Sequence, residues 1–586
     1  MSIKRGKIML EAKQCKEHHP SKGHIAYFTM EVGISNKIPT YSGGLGILAG
    51  DLLKSYADLC LPTICVTLLN EKGYFYQKID DDGNQIEEPV NWDINEQLVK
   101  LPNEININIE GRNVKIRAWK HIIKGETGFH LPVLFLDSNI EGNSEYDRTL
   151  TTQLYGGDRY YRLCQEIILG IGGVKILDSI GYTNIEKYHM NEGHAALLTI
   201  ELLKQTYSES DSEEKSYNVN EVKKKCVFTT HTPVAAGHDR FDLDLFRKTT
   251  NNYVPEFILQ KAIENNQVNM TLIALSMSDY INGVAKRHGE VTQEMFPEYH
   301  INSITNGVHA KTWASVPFKE LFNKHIPEWT VDPFAFRYAL SIPKDELWNA
   351  HMTAKNTLID YINKKTNAGF HSKRFTIGLA RRFTGYKRPN LILHNIDRLK
   401  AIAEKVGDIQ LIFAGKAHVQ DTQGKEIIKE VIQLSKKINA ESGKLKIIFL
   451  EHYDMDLSRM LVSGCDIWLN TPQRPFEASG TSGMKAAING TPQFSTIDGW
   501  WVEGLIENKT GWGIGAKPED PDFNNDFDSE KDAEDIYNKL EKVILPTFYG
   551  NNEAWVDIMR HVIALNASFF NTYRMAQQYI ANAYID

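Results

Sequence analysis

Seven short apolar runs recur along the chain with helical patterns between them. They are HIAYFTM (24–30), PTICVTLL (62–69), KCVFTTH (225–231), RFTIGLA (374–380), IQLIFAG (409–415), LKIIFL (445–450) and CDIWLN (465–470). LLKSYADL (52–59) and GKEIIKEVIQLSKKI (424–438) carry the helical period. Strand–helix alternation predicts an α/β protein with parallel sheets. Several of the strands end in Gly, His or Asn and lead into a helix, and ligands in such sheets bind at the carboxyl ends of the strands.

A chain of 586 residues is long enough for more than one domain. No internal repeat of solenoid length is present. The stretch ASVPFKELFNKHIPEWTVDPFAF, after Trp313, is the expected break, and a second α/β unit begins near Arg374. The tail from Asn552 is helical and semi-apolar and is expected to dock. The division expected is therefore 1–316, 317–551 and 552–586.

Composition is that of an ordinary globular chain, 42% hydrophobic and 24% charged. The net charge of −8, from 66 Lys and Arg against 74 Asp and Glu, argues against a nucleic-acid binder. An anionic substrate would need a local basic pocket. The six cysteines form no CxxC pair and are expected as buried free thiols in a reducing compartment. No apolar run reaches membrane-spanning length, and MSIKRGKIMLEAKQCKEHHP contains no sustained apolar core of a leader. The expected location is the cytoplasm, with no membrane partner.

EASGTSGMKAAING (477–490) sets Lys485 behind a turn rich in glycine and hydroxyls, at the start of a short helix that Gly490 and Pro492 end. Backbone N–H groups of such a turn attract phosphate. Lys485 is then a phosphate ligand, a Schiff-base partner for an aldehyde cofactor, or a solvated lysine beside an ordinary cap. Arg381, Arg382, Lys387 and Arg388 follow a strand end in RRFTGYKRPN, where they either clamp a phosphate or form a basic surface loop. His231 closes a strand. YHMNEGHAALL places Asn191, Glu192 and His194 between strand and helix; the spacing of His189 and His194 is not that of a helical zinc pair, and no metal is expected. SGGLGILAGD (42–51) and TNGVHAKTW (305–313) are further loops of binding character.

Taken together and in order, SGGLG, NEGH, THT, INGVAKRH, TNGVHAKTW, RRFTGYKR and EASGTSGMK resemble the α-glucan phosphorylases, a family that acts on glycogen, starch or maltodextrin. The resemblance covers nearly the whole chain. It implies two Rossmann-like domains facing across a cleft, the glycosyltransferase-B arrangement, with the tail helix crossing back to the first domain. It implies pyridoxal 5'-phosphate on Lys485, with Thr481, Ser482 and Arg381 at the cofactor phosphate and Trp313 and Tyr453 near the cofactor. Arg382, Lys387, Gly43 and Gly44 would meet substrate phosphate. Glu477, Ser479, Gly480 and Asn306 would bind sugar, and His231 the glucose at the cleavage point.

The reaction so implied is phosphorolysis of α-1,4-glucan or maltodextrin by inorganic phosphate to glucose 1-phosphate, with retention. The cofactor's phosphate would exchange a proton with the substrate phosphate, its second ionisation near pH 6 suiting that task. Two close phosphates need cations, hence Arg381, Arg382 and Lys387. A homodimer is the assembly to expect. The chain departs from the long phosphorylases at Thr384 (their histidine), Gly33 (their aromatic) and Gly483 (their asparagine). It looks like a short branch without the long regulatory extension, so allosteric control is not expected. A nucleotide-sugar glucosyltransferase of the same fold is the alternative; it needs no lysine–aldehyde bond. A hydrolase needs paired carboxylates, and neither Glu192 nor Glu477 has an evident partner in sequence.

Overall fold

The computed structural model describes residues 24–234, 237–441, 443–520, 523 and 528–585. Cys15 and the amino-terminal stretch considered above lie outside them. The alternation read from the sequence resolves into two large sheets. The first contains β1 (His24–Thr29), β2 (Thr63–Leu68), β3 (Val99–Ile109), β4 (Arg112–Lys124), β5 (His130–Asp137), β6 (Ile185–Asn191), β7 (Cys226–Thr229), β8 (Tyr280–Gly283) and β9 (Asn302–Ser303). Their order is β9-β8-β7-β6-β1-β2-β5-β4-β3. Pairs are parallel except where β4 meets β3 and β5.

The second sheet contains β10 (Phe375–Ala380), β11 (Ile409–Ala414), β12 (Leu445–Leu450), β13 (Ile467–Asn470), β14 (Gln493–Thr496) and β15 (Gly511–Ile514). It is parallel throughout, in the order β12-β11-β10-β13-β14-β15. Counted within the sheet this is 3-2-1-4-5-6, the doubly wound order of dinucleotide-binding folds. All six residues of β1 and of β10 are buried. Parallel strands are covered by helices on both faces, which is why these segments read as unbroken apolar runs. β3 escapes that reading because it lies at an antiparallel edge and exposes every second residue over most of its length.

The strand order reverses between β1 and β6 in one sheet and between β10 and β13 in the other. Loops diverge at such points and leave a crevice at the carboxyl ends. Glu31 follows β1, Asn191 ends β6, Arg381 follows β10, and the segment from Thr471 to Glu477 follows β13. The helices that frame these points are α1 (Gly44–Asp58), α2 (Lys344–Thr366), α3 (Met455–Gly464), α4 (Ser482–Ile488), α5 (Asn552–His561) and α6 (Thr572–Tyr579). On α2, Lys355 reaches buried Asp466 at 2.5 Å and His351 reaches it at 2.9 Å. This ties α2 to the second sheet, where the Thr376 N–H also donates to Asp466.

After Trp313 the chain enters the second core: Phe318 and Phe322 pack there, as do Trp555 and Met559 of α5. The chain then returns. Met575, Ala576 and Tyr579 of α6 pack with Leu48, Leu52 and Tyr56 of α1. Buried hydrogen bonds fix the return: Tyr584 Oη to His189 Nδ1 at 2.6 Å, His189 Nε2 to Thr229 Oγ1 at 2.8 Å, and Tyr579 Oη to Thr229 Oγ1 at 3.0 Å. Among the described residues Cys60, Cys65, Cys164, Cys226 and Cys465 are free thiols, all but Cys60 buried. Also among them, no helix is long and apolar enough to cross a membrane, and no group of three metal-ligating side chains is assembled.

Candidate active site

Lys485 sits on α4, buried, with its Nζ over the Trp313 ring, 4.0 Å from the centroid. Burial pushes its ammonium down to about 8; Lys54 acts in the same direction and Asp51 opposes it. An amine so placed is partly unprotonated near neutrality and nucleophilic. The turn before it is shaped by close packing. A Cβ on Gly483 would lie 1.4 Å from Gln493 Oε1, so the Gln493 side chain fills the space that an asparagine would need. The Ser482 hydroxyl is engaged by Trp468 Nε1 at 3.0 Å, leaving Ser482 its backbone N–H for a ligand. Thr481 precedes α4 and its carbonyl accepts the Lys485 N–H at 3.1 Å.

Glu477 lies at the switch point of the second sheet. Lys387 Nζ donates to both of its oxygens, at 2.9 and 2.8 Å, and Arg381 Nη2 donates to one of them. Arg381 Nη1 donates to Asn470, and its buried Nε has no partner among the described residues. Burial alone would raise the Glu477 carboxyl, but Lys387 and Arg381 outweigh it and hold it at about 2. Asp498 accepts the Glu477 N–H at 2.9 Å and the Gly499 N–H at 2.9 Å, and burial pushes its carboxyl up to about 7. Glu477 therefore does have a carboxyl neighbour. Asp498, however, is engaged by backbone donors of its own loop and of the Glu477 segment, not placed across a bond to be cleaved. Ser479 and Gly480 border this loop, Gly480 with φ of 76°.

The basic loop divides three ways. Lys387 and Arg381 point to Glu477. Arg382 is exposed, acting electrostatically on Tyr74 and His418. Arg388 turns inward to Asp532 at 2.7 Å and to the carbonyls of Thr471 and Pro472. Tyr453, after β12, donates to Ser458 Oγ at 2.8 Å, and its phenol is raised to about 12 by burial.

From the first sheet, the glycine loop meets Glu31: the Ser42 N–H donates at 2.5 Å, the Gly43 N–H at 3.3 Å, and Tyr155 Oη at 3.0 Å. A helix amino end is thus already supplied with a carboxylate. Beside Gly43 and Gly44 there is open space where a Cβ would stand. Gly33 is small because α1 crosses it, a Cβ on Gly33 coming within 2.7 Å of Ile47 Cδ1 and 3.1 Å of Ile47 Cα. Glu192 holds φ of 80°, an unfavourable value for its type, and its carboxylate accepts the His231 N–H at 2.8 Å and the Thr232 hydroxyl at 2.9 Å. His231 Nε2 meets Asn191 Oδ1 at 2.7 Å, and burial lowers its imidazole to about 4, so the ring is neutral at pH 7. Asn306 is buried with its Oδ1 unpartnered among the described residues, while its carbonyl accepts Arg574 Nη2 of α6 at 2.8 Å.

Glu31, Asp51, Asp498 and Arg574 are the residues the sequence reading left out. Asp51 accepts Trp313 Nε1 at 2.6 Å, below Lys485. Its signal was available: a charged residue on the apolar face of α1, seven positions after Gly44. Arg574, 268 residues from Asn306, carried no local signal.

Two sheets with diverging loops, a buried lysine and a carboxylate held by cations define a two-domain protein of the glycosyltransferase-B class. Residues 249–586 match the family of carbohydrate phosphorylases, and the chain belongs to that family. It is 38% identical to the maltodextrin phosphorylase of Thermococcus litoralis over 96% of this chain and 70% of the relative. It is 35% identical to a glycogen phosphorylase of Mycobacterium tuberculosis, with the same coverages of 96% and 70%. The glycogen phosphorylase of Aquifex aeolicus is 32% identical over 96% of this chain and 86% of its own length.

Proposed function

We propose that the chain catalyses phosphorolysis of α-1,4-glucan, giving glucose 1-phosphate and a chain one glucose shorter. The observation that carries the reading is the pairing of Glu477 with Lys387 and Arg381 at the switch point of the second sheet. An incoming phosphate is a competing anion for the same two cations. As it takes them, the Glu477 carboxylate is freed to accept hydrogen bonds from sugar hydroxyls. Binding of phosphate and binding of glucose are thereby linked through one carboxylate.

The donor set fits pyridoxal 5'-phosphate. Lys485 offers a buried amine brought down to about 8, and Arg381 keeps a buried Nε without a partner. Lys485 would anchor the aldehyde, Trp313 and Tyr453 would wall the ring, and Thr481, Ser482 and Arg381 would meet its phosphate. When bound, the cofactor supplies a phosphate with an ionisation near pH 6, suited to proton exchange near neutrality. An oxygen of substrate phosphate forms the new bond to the anomeric carbon, and the glycosidic oxygen leaves with a proton from phosphate. Arg381, Arg382 and Lys387 balance the negative charge, Arg382 having to turn in from its exposed position. His231, neutral and fixed by Asn191 and Glu192, would orient the glucose, as would Asn306, Ser479 and Gly480; Gly43 and Gly44 leave room for phosphate. Under this reading the cleft lies between the described parts of 1–316 and of 317–551, and the described tail from Asn552 spans both.

Incubation with maltodextrin, with and without phosphate, tests the reading. Glucose 1-phosphate formed only when phosphate is present is the expected result. Free glucose formed without phosphate, or transfer from UDP-glucose instead, overturns it.

A further inference from the structure

A cavity of about 350 Å³ opens between the domains, lined by Ile34, Lys54 and Thr312 of the first, Lys319 of the connecting segment, and Met455 and Arg459 of α3. None of these residues belongs to the cluster around Glu477. We propose that this cavity binds a small phosphomonoester, at a site separate from the one that handles substrate phosphate.

Charge is the first argument. Lys54, Lys311, Lys319 and Arg459 all line the cavity. Lys311 is paired with Glu126, and Arg459 Nη1 with Asp456 at 3.0 Å. Among the described residues neither Lys54 nor Lys319 has a carboxylate within ion-pair distance. The wall therefore carries two cations beyond its anions, which matches a dianion. Lys54 is half-buried and its ammonium donates to the Thr312 hydroxyl at 3.3 Å. The carboxylates acting on it, Asp51 and Asp58, stand on its own helix, and Arg459 opposes them from α3. Asp51 is committed elsewhere, accepting from Trp313 and from the His309 N–H. Burial lowers the Lys54 and Lys319 ammonium groups alike, with Arg459 adding to both. An ammonium taken partly out of water without a counter-ion costs free energy that a bound anion reduces.

Shape is the second argument. The volume lies in the range of small-ligand sites. Ile34 and Met455 supply apolar wall for the body of the ligand, and the cations supply the place for its phosphate. A bare inorganic ion would leave most of this space unfilled.

Position gives the consequence. The lining comes from both domains and from the segment that joins them, so a ligand here favours the arrangement in which all three are together. Thr312 is held from both sides, its hydroxyl by Lys54 and its carbonyl by Arg459 Nε at 3.0 Å. The next residue is Trp313, the ring beneath Lys485. Occupancy of the cavity is thus felt one residue from Trp313, the ring beneath the buried amine, and the cavity acts as an effector site.

The test is calorimetric titration of the purified holoenzyme with ribose 5-phosphate, which needs no turnover and so stands or falls apart from the proposed reaction. Saturable binding is expected, unchanged in Lys387→Ala and weakened by roughly tenfold or more in Lys319→Gln/Arg459→Gln, given what loss of charge-assisted hydrogen bonds costs. Lys319→Glu, which places an anion in the cavity at a half-buried position, should weaken it likewise if the double variant folds poorly. Absence of saturable binding to the parent, equal affinity in the parent and the cavity variants, or loss in Lys387→Ala alone would each overturn the proposal.

Discussion

Replacing Glu477 with glutamine removes the anion that Lys387 and Arg381 share. Burial raises that carboxyl, yet Lys387 and Arg381 bring it from 4.5 to about 2. A displacement of that size corresponds to about 3 kcal/mol of preference for the ionised form in the folded chain. The folded value lies below the unfolded one, so the stabilisation is fully present above about pH 4.5 and is lost as the pH falls towards 2. At pH 7 the variant should therefore be less stable by about 3 kcal/mol, and more if the two cations then repel unscreened. For a domain of roughly 200–250 residues this is on the order of 6 °C in the unfolding midpoint. Phosphate should restore much of it by taking the vacated place, about 2.7 kcal/mol at a hundred times its dissociation constant. Thermal unfolding of parent and variant, in phosphate-free buffer and with phosphate added, reads all three effects. The gap between the two proteins should close as the pH is lowered towards 2. Equal midpoints at pH 7, or a larger phosphate effect on the parent than on the variant, would refute the argument that carboxylate and phosphate share these cations.

Asp466→Ala should destabilise the second domain by about 3–5 kcal/mol, because it strands buried Lys355; denaturant unfolding measures it, and a loss below about 1 kcal/mol would show that the ammonium finds another partner. Arg574→Ala should raise the maltodextrin concentration needed for half-maximal rate by roughly tenfold while leaving the phosphate requirement unchanged, since it frees the carbonyls of Thr305 and Asn306; an equal effect on both substrates would mean general disruption. Asp498 holds its proton to about pH 7 in the folded chain, so its raised value withdraws stability as the pH rises from about 4 to 7. Asp498→Asn should flatten that part of the profile, and an unaltered slope would remove Asp498 as its source.

The two sheets were legible because parallel strands buried on both faces leave continuous apolar runs, as in FTIGLA of β10. The edge strand β3, exposing alternate residues, left no such trace. The turn before Lys485 was legible from its glycines and hydroxyls, and the short helix ends where Gly490 and Pro492 suggested. The basic loop was legible as a loop but not as three destinations, because the partners of Arg381, Lys387 and Arg388 come from segments about 90 to 144 residues further along the chain. Gly33 and Gly483 read only as departures from a pattern; the crossing of α1 and the Gln493 side chain supply their reasons.

By itself the sequence determined what nearest neighbours can encode: several of the buried strands, that a lysine follows an anion-attracting turn, and the order of motifs that marks the family. Tertiary structure alone decided the strand order that puts β10 beside β13, and with it the meeting of Lys387 and Glu477 across 90 residues. It likewise decided that Arg574 would return from the tail to hold the Asn306 loop. The physical reason is the range of the forces concerned. Backbone preference and hydrophobic period are set within a few residues, whereas the partner of a buried charge is whichever group the packing of distant elements delivers to it.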